Sequence, residues 1–87
     1  MIVMGTNTWE IEIPKDFLTM KALEFADVVN SQGIAELREF LLAHDKKMLW
    51  CTWETDNLDA LKAAFAEMNS QTGLSSELTI VEDMYDN

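Results

Sequence analysis

The 87 residues of this chain predict an α+β fold of order β-α-β-β-α-β, with a four-stranded antiparallel sheet and two helices on one face. Three observations lead there. Met48-Leu49-Trp50-Cys51-Thr52-Trp53-Glu54 reads as a strand that passes through Thr55-Asp56-Asn57 into a helix start. Leu58, Leu61, Phe65 and Met68 then mark a single helical stripe. Gly73 stops that helix, and Leu78-Thr79-Ile80-Val81 returns as a second strand.

The elements before this unit follow in order. From Ile2 to Ile13 the chain alternates loosely, with Val3, Trp9, Ile11 and Ile13 on one parity. Ile2, Met4, Thr6, Thr8, Glu10 and Glu12 fall on the other, as in a strand whose end reaches solvent. Gly5 marks a bulge or a point of close approach. Pro14 suits the first turn of a helix, where its missing N–H costs nothing, and Asp16 suits the positive end of the dipole. Phe17, Met20 or Ala22, Leu23, Glu24 and the Ala26-Val28-Val29 group have mostly helical spacing, and Gly33 ends the run, so the helix is expected over Lys15 to Ser31.

Ile34 to His44 supports two readings. Ile34, Leu37 and Leu41 are spaced as in a helix, and Ala, Glu, Leu and Arg favour one by propensity. Ile34, Phe40 and Leu42 share a strand parity, and His44-Asp45-Lys46-Lys47 makes a polar turn before the aromatic strand. The aromatic strand needs a neighbour, so a hairpin is the expectation; a helix there would leave a smaller sheet with three helices. The second long helix is capped by Asp56 or Asn57, with Asp59 at its favourable end.

Composition bounds the rest. The chain is one domain, residues 1–87, and its 48% apolar and 25% charged content with one proline is that of a folded globule. No apolar run approaches the roughly 20 residues that span a bilayer. The start, Met1-Ile2-Val3-Met4-Gly5, lacks the basic opening of a signal peptide, so a cytoplasmic location is expected. Sixteen acidic against six basic residues give a formal charge of -10, which opposes binding to nucleic acid and to anionic membranes. One cysteine rules out an internal disulfide and an all-cysteine metal cage. Three glycines, at Gly5, Gly33 and Gly73, leave no phosphate-cradling loop, and no Ser/His/Asp order or paired-cysteine motif is present.

The aromatic strand is apolar on both faces. Met48 and Trp50 point one way, and Leu49, Cys51 and Trp53 the other. A one-layer domain of this length covers only one sheet face with its own helices, so a homodimer is expected, with the interface among Met48, Leu49, Trp50, Cys51 and Trp53. An aromatic side chain buries about 150–250 Å², worth roughly 4–6 kcal/mol at about 25 cal/mol per Å². Leaving Trp50 on an open sheet forfeits much of that.

The run Leu49-Trp50-Cys51-Thr52-Trp53-Glu54-Thr55-Asp56-Asn57, followed by Leu58–Met68 and Leu78–Glu82, resembles a pattern in known proteins. It is an aromatic strand ending in an acid, a Thr/Asp-rich cap, an Ala-rich helix and a final Ile/Val strand. The order of elements looks like a ferredoxin-like domain, and the details resemble small uncharacterised single-domain members of the dimeric α/β-barrel superfamily. The likeness covers the last forty or so residues well, and the first half by element order only. It implies two sheets packed face to face across a dimer. Some members of the superfamily are described as nickel-binding, others as cofactor-independent monooxygenases or isomerases. A fold-level likeness does not transfer function.

Site residues are weighed on that basis. Trp9, Trp50 and Trp53, with Asn7 and Thr52 as polar partners, are candidates to line a pocket for a small apolar or aromatic ligand; Thr6 and Tyr85 are further polar contributors. Aromatics on strands serve more often as core or interface. Cys51 reads as a small buried hydrophobe. His44 is the only histidine. Beside Asp45 it falls short of the three or four ligands of a nickel or zinc site, and Glu10, Glu12 and Glu54 add carboxylates only if the fold gathers them. It reads as a solvated turn residue; no metal site and no cofactor are expected. The Glu54-Thr55-Asp56 acids read as helix capping. Two function classes stay open: a non-catalytic binding or assembly module, and a small cofactor-independent enzyme of the monooxygenase or isomerase type. A closed pocket with convergent polar groups favours the enzyme, and a filled interior the module.

Overall fold

The computed structural model describes residues 1–85. The elements run β1 (Ile2–Thr8), α1 (Lys15–Ser31), β2 (Glu36–Ala43), β3 (Met48–Glu54), α2 (Leu58–Thr72) and β4 (Ser75–Val81). The four strands form one antiparallel sheet in the order β2-β3-β1-β4, with both helices on the same face. This is the ferredoxin-like topology that the element order implied.

The contested stretch is a strand, and its bulge explains why the sequence was ambiguous. Leu37 pairs with Trp53 and Glu39 with Thr52, so one extra residue, Arg38, sits between them on β2. The insertion switches parity: Leu37 faces the helices before it, and Phe40 and Leu42 face them after it. A strict period of two is thereby broken, and the remaining apolar spacing looks helical. A 3₁₀ turn over His44–Lys46 closes the hairpin, with Lys47 left-handed at φ 53°. Ile34 lies before the strand and packs against the core.

Other boundaries shift for local reasons. β1 ends at Thr8, short of Ile13; Trp9 turns inward while Glu10, Ile11 and Glu12 are exposed. Pro14 caps α1 from outside, with an extended ψ of 139°, and the helix spans Lys15–Ser31 as expected. Its buried stripe is Leu18, Ala26 and Val29, with Phe25 packed beside it, whereas Phe17, Met20 and Leu23 are about half exposed. The helix therefore carries more apolar surface than it buries. Asn57, not Asp56, caps α2 by accepting from the Ala60 N–H at 3.1 Å. Gly73 closes the helix in the left-handed conformation at φ 77°.

The core lies between the sheet and the helices in two clusters. In the larger, Phe25, Trp53 and Phe65 meet edge to face with ring centroids 4.8–5.9 Å apart. Each such pair is worth about 0.5–1.5 kcal/mol beyond its area. In the smaller, Trp9, Leu18 and Leu49 are buried together.

Gly5 is a close approach and not a bulge, because its register with Cys51 and Leu78 is continuous. A Cβ there would lie 2.9 Å from the Cys51 Sγ and 3.3 Å from a Leu78 methyl. Gly5→Ala is expected to destabilise the fold by about 1–3 kcal/mol in urea melts, as overpacking does. Combining it with Cys51→Ala should cost less than the sum of the two single changes, since the second removes the atom that the first strikes.

Candidate functional site

The two helices part over the sheet and leave a cleft of about 950 Å³. Its floor is the helix-facing side of β1 and β3, with Asn7, Leu49, Cys51 and Trp53. Phe17, Leu18, Phe25 and Val28 of α1 form one wall, and Phe65 and Met68 of α2 the other. Trp9, Ile11, Ile13 and Pro14 close the end beside the loop from β1 to α1. Phe17 and Val28 keep 48% and 51% of their surface exposed, so the cleft is partly open to water. It sits at the upper end of the size range of small-molecule pockets, about 300–1,000 Å³, and has their apolar lining.

The polar groups of the floor are engaged with one another. Asn7, 1% exposed, donates through Nδ2 to the Leu49 carbonyl at 3.1 Å and towards the Cys51 Sγ at 3.6 Å. Its Oδ1 accepts from the Ser76 hydroxyl, which also lies 3.2 Å from Oδ1 of Asn69 on α2. The Trp53 indole N–H donates to the same Sγ at 3.1 Å, and the Cys51 thiol leans on the Gly5 carbonyl at 3.8 Å. Burial pushes the Cys51 thiol up from its ordinary value of 9.0, against the opposing pull of these hydrogen bonds from Trp53, Asn7 and Gly5. At neutral pH the floor carries a protonated thiol and a satisfied amide.

The structure divides the expected pocket residues. Asn7, Trp9 and Trp53 meet at the cleft. Trp50 and Thr52 lie on the opposite, open face of the sheet, where Trp50 pairs with Thr6 and Leu41, and Thr52 with Met4 and Glu39. The Thr52 hydroxyl donates to Glu39 Oε1 at 3.3 Å. Thr6 shares that open face, and Tyr85 stands 97% exposed beyond β4. The five expected interface residues divide the same way. Met48 and Trp50 are on the open face, while Leu49, Cys51 and Trp53 are buried beneath the chain's own helices. The walls of the cleft, above all Phe17, Phe25, Val28 and Phe65, were missed from the sequence. The signal for the α1 wall was the surplus of apolar residues on that helix beyond one stripe, whereas Phe65 was legible as part of the α2 stripe but not as a cleft wall.

His44 is not simply solvated. Its Nε2 lies 2.6 Å from the Ile13 carbonyl, to which it donates, tying the hairpin turn to the loop before α1. Among the described residues no three of His, Cys, Asp and Glu gather as metal ligands do. Glu12 pairs with Lys47 at 3.1 Å. Thr55, between the two acids read as capping, donates to the Ile34 carbonyl at 2.6 Å and accepts from the Asn57 N–H at 2.9 Å. No helix among the described residues is long and apolar enough to cross a membrane.

A thiol held above its unfolded pKa keeps its proton longer in the folded chain. Its stabilising contribution is complete below about 9 and is lost as pH climbs from there towards the folded value. Unfolding free energy measured in urea is therefore expected to fall above pH 9, and to fall less steeply in Cys51→Ala. Thiol labelling of the native protein at neutral pH should be slow and should become rapid on unfolding.

No family model, curated protein or solved structure matches this chain.

Proposed function

We propose that the chain is a non-catalytic binding module of the dimeric α/β-barrel kind, which pairs with a second copy through the open sheet face and holds a small apolar or aromatic molecule in the cleft. The observation that carries this reading is the cleft itself. It is neither the filled interior of a purely structural domain nor a closed chamber with polar groups aimed at a substrate. Aromatic and aliphatic walls offer desolvation, while the polar atoms of Asn7 and Cys51 are engaged with each other, the backbone, Ser76 and Trp53. Such a site binds by shape and burial.

Pairing draws support from the uncovered face. Ile2 and Met4 of β1, Leu41 of β2, Met48 and Trp50 of β3 and Val81 of β4 share it by register. Leu41 is 57% exposed. Glu36, Glu39, Glu54 and Glu77 lie on the same face, so two copies meet with like charges near their apolar centre. Screening should therefore strengthen the dimer.

Sedimentation velocity at tens of micromolar is expected to give a dimer, tighter at 0.5 M than at 0.05 M salt, and Trp50→Glu should be monomeric. A neutral aromatic probe such as 2-naphthol should quench Trp9 and Trp53 fluorescence. Phe17→Ala with Val28→Ala should weaken that binding about tenfold, and Trp50→Phe should leave it unchanged. A monomer at all salts removes the pairing, absence of saturable quenching removes the binding, and chemical conversion of a bound aromatic would favour the cofactor-independent monooxygenase or isomerase class.

A further inference from the structure

The cleft has a sign as well as a shape. Glu12, Glu24 and Glu67 line it, against a single ammonium, that of Lys21. Glu12 is bridged by Lys47 at 3.1 Å and Glu24 by Lys21 at 3.4 Å, both in exposed, labile pairs, and Glu67 makes no ion pair among the described residues. The chain as a whole carries -10. Helix dipoles do not reverse this bias. The N-terminus of α1 and the C-terminus of α2 both flank the Thr8 end of the sheet and oppose each other.

A second, independent feature lies at the mouth. The Lys21 Nζ sits over the Phe17 ring, 5.6 Å from its centroid, while bridging Glu24. The chain's own ammonium group is thus held between an aromatic face and a carboxylate at the entrance to an aromatic-walled cleft. Cation–π attraction and a nearby carboxylate act together there.

We infer that the cleft selects hydrophobic cations, amines or quaternary ammonium groups carried on an aromatic or aliphatic body, over neutral and anionic molecules of the same shape. This rests on the reading of the cleft as a binding site. The body occupies the apolar space between Phe65, Trp9 and Trp53. The cationic head takes the position at Phe17 and Glu24 that Lys21 now fills, with Glu67 on the opposite wall. Lys21 is therefore a competitor: its displacement into water accompanies binding.

The test uses three probes on one ring system, 2-naphthylmethylammonium, 2-naphthylmethanol and 2-naphthoate, titrated against tryptophan fluorescence of the whole chain at low salt. The ammonium compound is expected to bind roughly three- to tenfold more tightly than the alcohol, the size of one exposed cation–π contact plus a screened carboxylate. The naphthoate should bind more weakly than the alcohol. Glu24→Gln with Glu67→Gln should bring the ammonium compound to the level of the alcohol, and Lys21→Gln should tighten the ammonium compound while barely changing the alcohol. These positions are exposed, so the variants should fold. Equal affinity for all three probes, or a preference for naphthoate, overturns the charge selection and leaves the cleft as a neutral binding site. Failure of every probe to bind removes the cleft reading and the selection with it.

Discussion

β3 presents apolar side chains to both faces of a sheet that has helices on only one, and the rest of the molecule is arranged around that imbalance. Leu49, Cys51 and Trp53 go under the helices, and Trp53 anchors the aromatic triangle with Phe25 and Phe65. Met48 and Trp50 go to the other side, among Ile2, Met4 and Leu41. The covered face is apolar, while the open one mixes these side chains with Glu36, Glu39, Glu54 and Glu77. Together they give a sheet covered by helices on one side and open on the other.

On the covered side the packing is also uneven. The aromatic triangle packs against the middle of α2, while Phe17 and Val28, near opposite ends of α1, are left half exposed along the cleft. Asn7 sits at the centre of the floor. Its three partners, on β3 and β4, bind the sheet together, and Ser76 extends the network to Asn69 on α2. A buried amide in an apolar floor is tolerated because every one of its hydrogen-bonding groups is met. Rigidity of the floor and openness of the walls thus come from different residues.

Much of this was legible in the sequence, and the failures share a cause. Leu58, Leu61, Phe65 and Met68 marked α2, Gly33 and Gly73 marked helix ends, and the parity of β3 sorted its side chains, because these signals are local. The bounds of α1 were legible but its buried stripe was not, since Phe17, Met20 and Leu23 carry apolar side chains as Leu18, Phe25 and Val29 do, and only packing decides which set is buried. The candidate cleft was half legible. Asn7, Trp9 and Trp53 belong to it, but Trp50 and Thr52 differ from Trp53 and Cys51 only by a step along the strand, and a single step exchanges faces. The cleft walls depend on how far two helices stand apart, which no spacing within one helix encodes.

The bulge at Arg38 has a consequence for growth. An antiparallel sheet offers two free edges, here β2 and β4. Open-ended polymerisation by strand addition needs both to accept a neighbour in continuous register. β4 is regular along its length, whereas β2 loses its register after Leu37. An incoming strand that matched Glu39–Ala43 would be out of step with Glu36 and Leu37. Addition at β4 alone can join two copies and then has nowhere to continue. For an acidic domain that leaves tryptophan and leucine on an open sheet, an interrupted edge sets a ceiling on how many chains can line up.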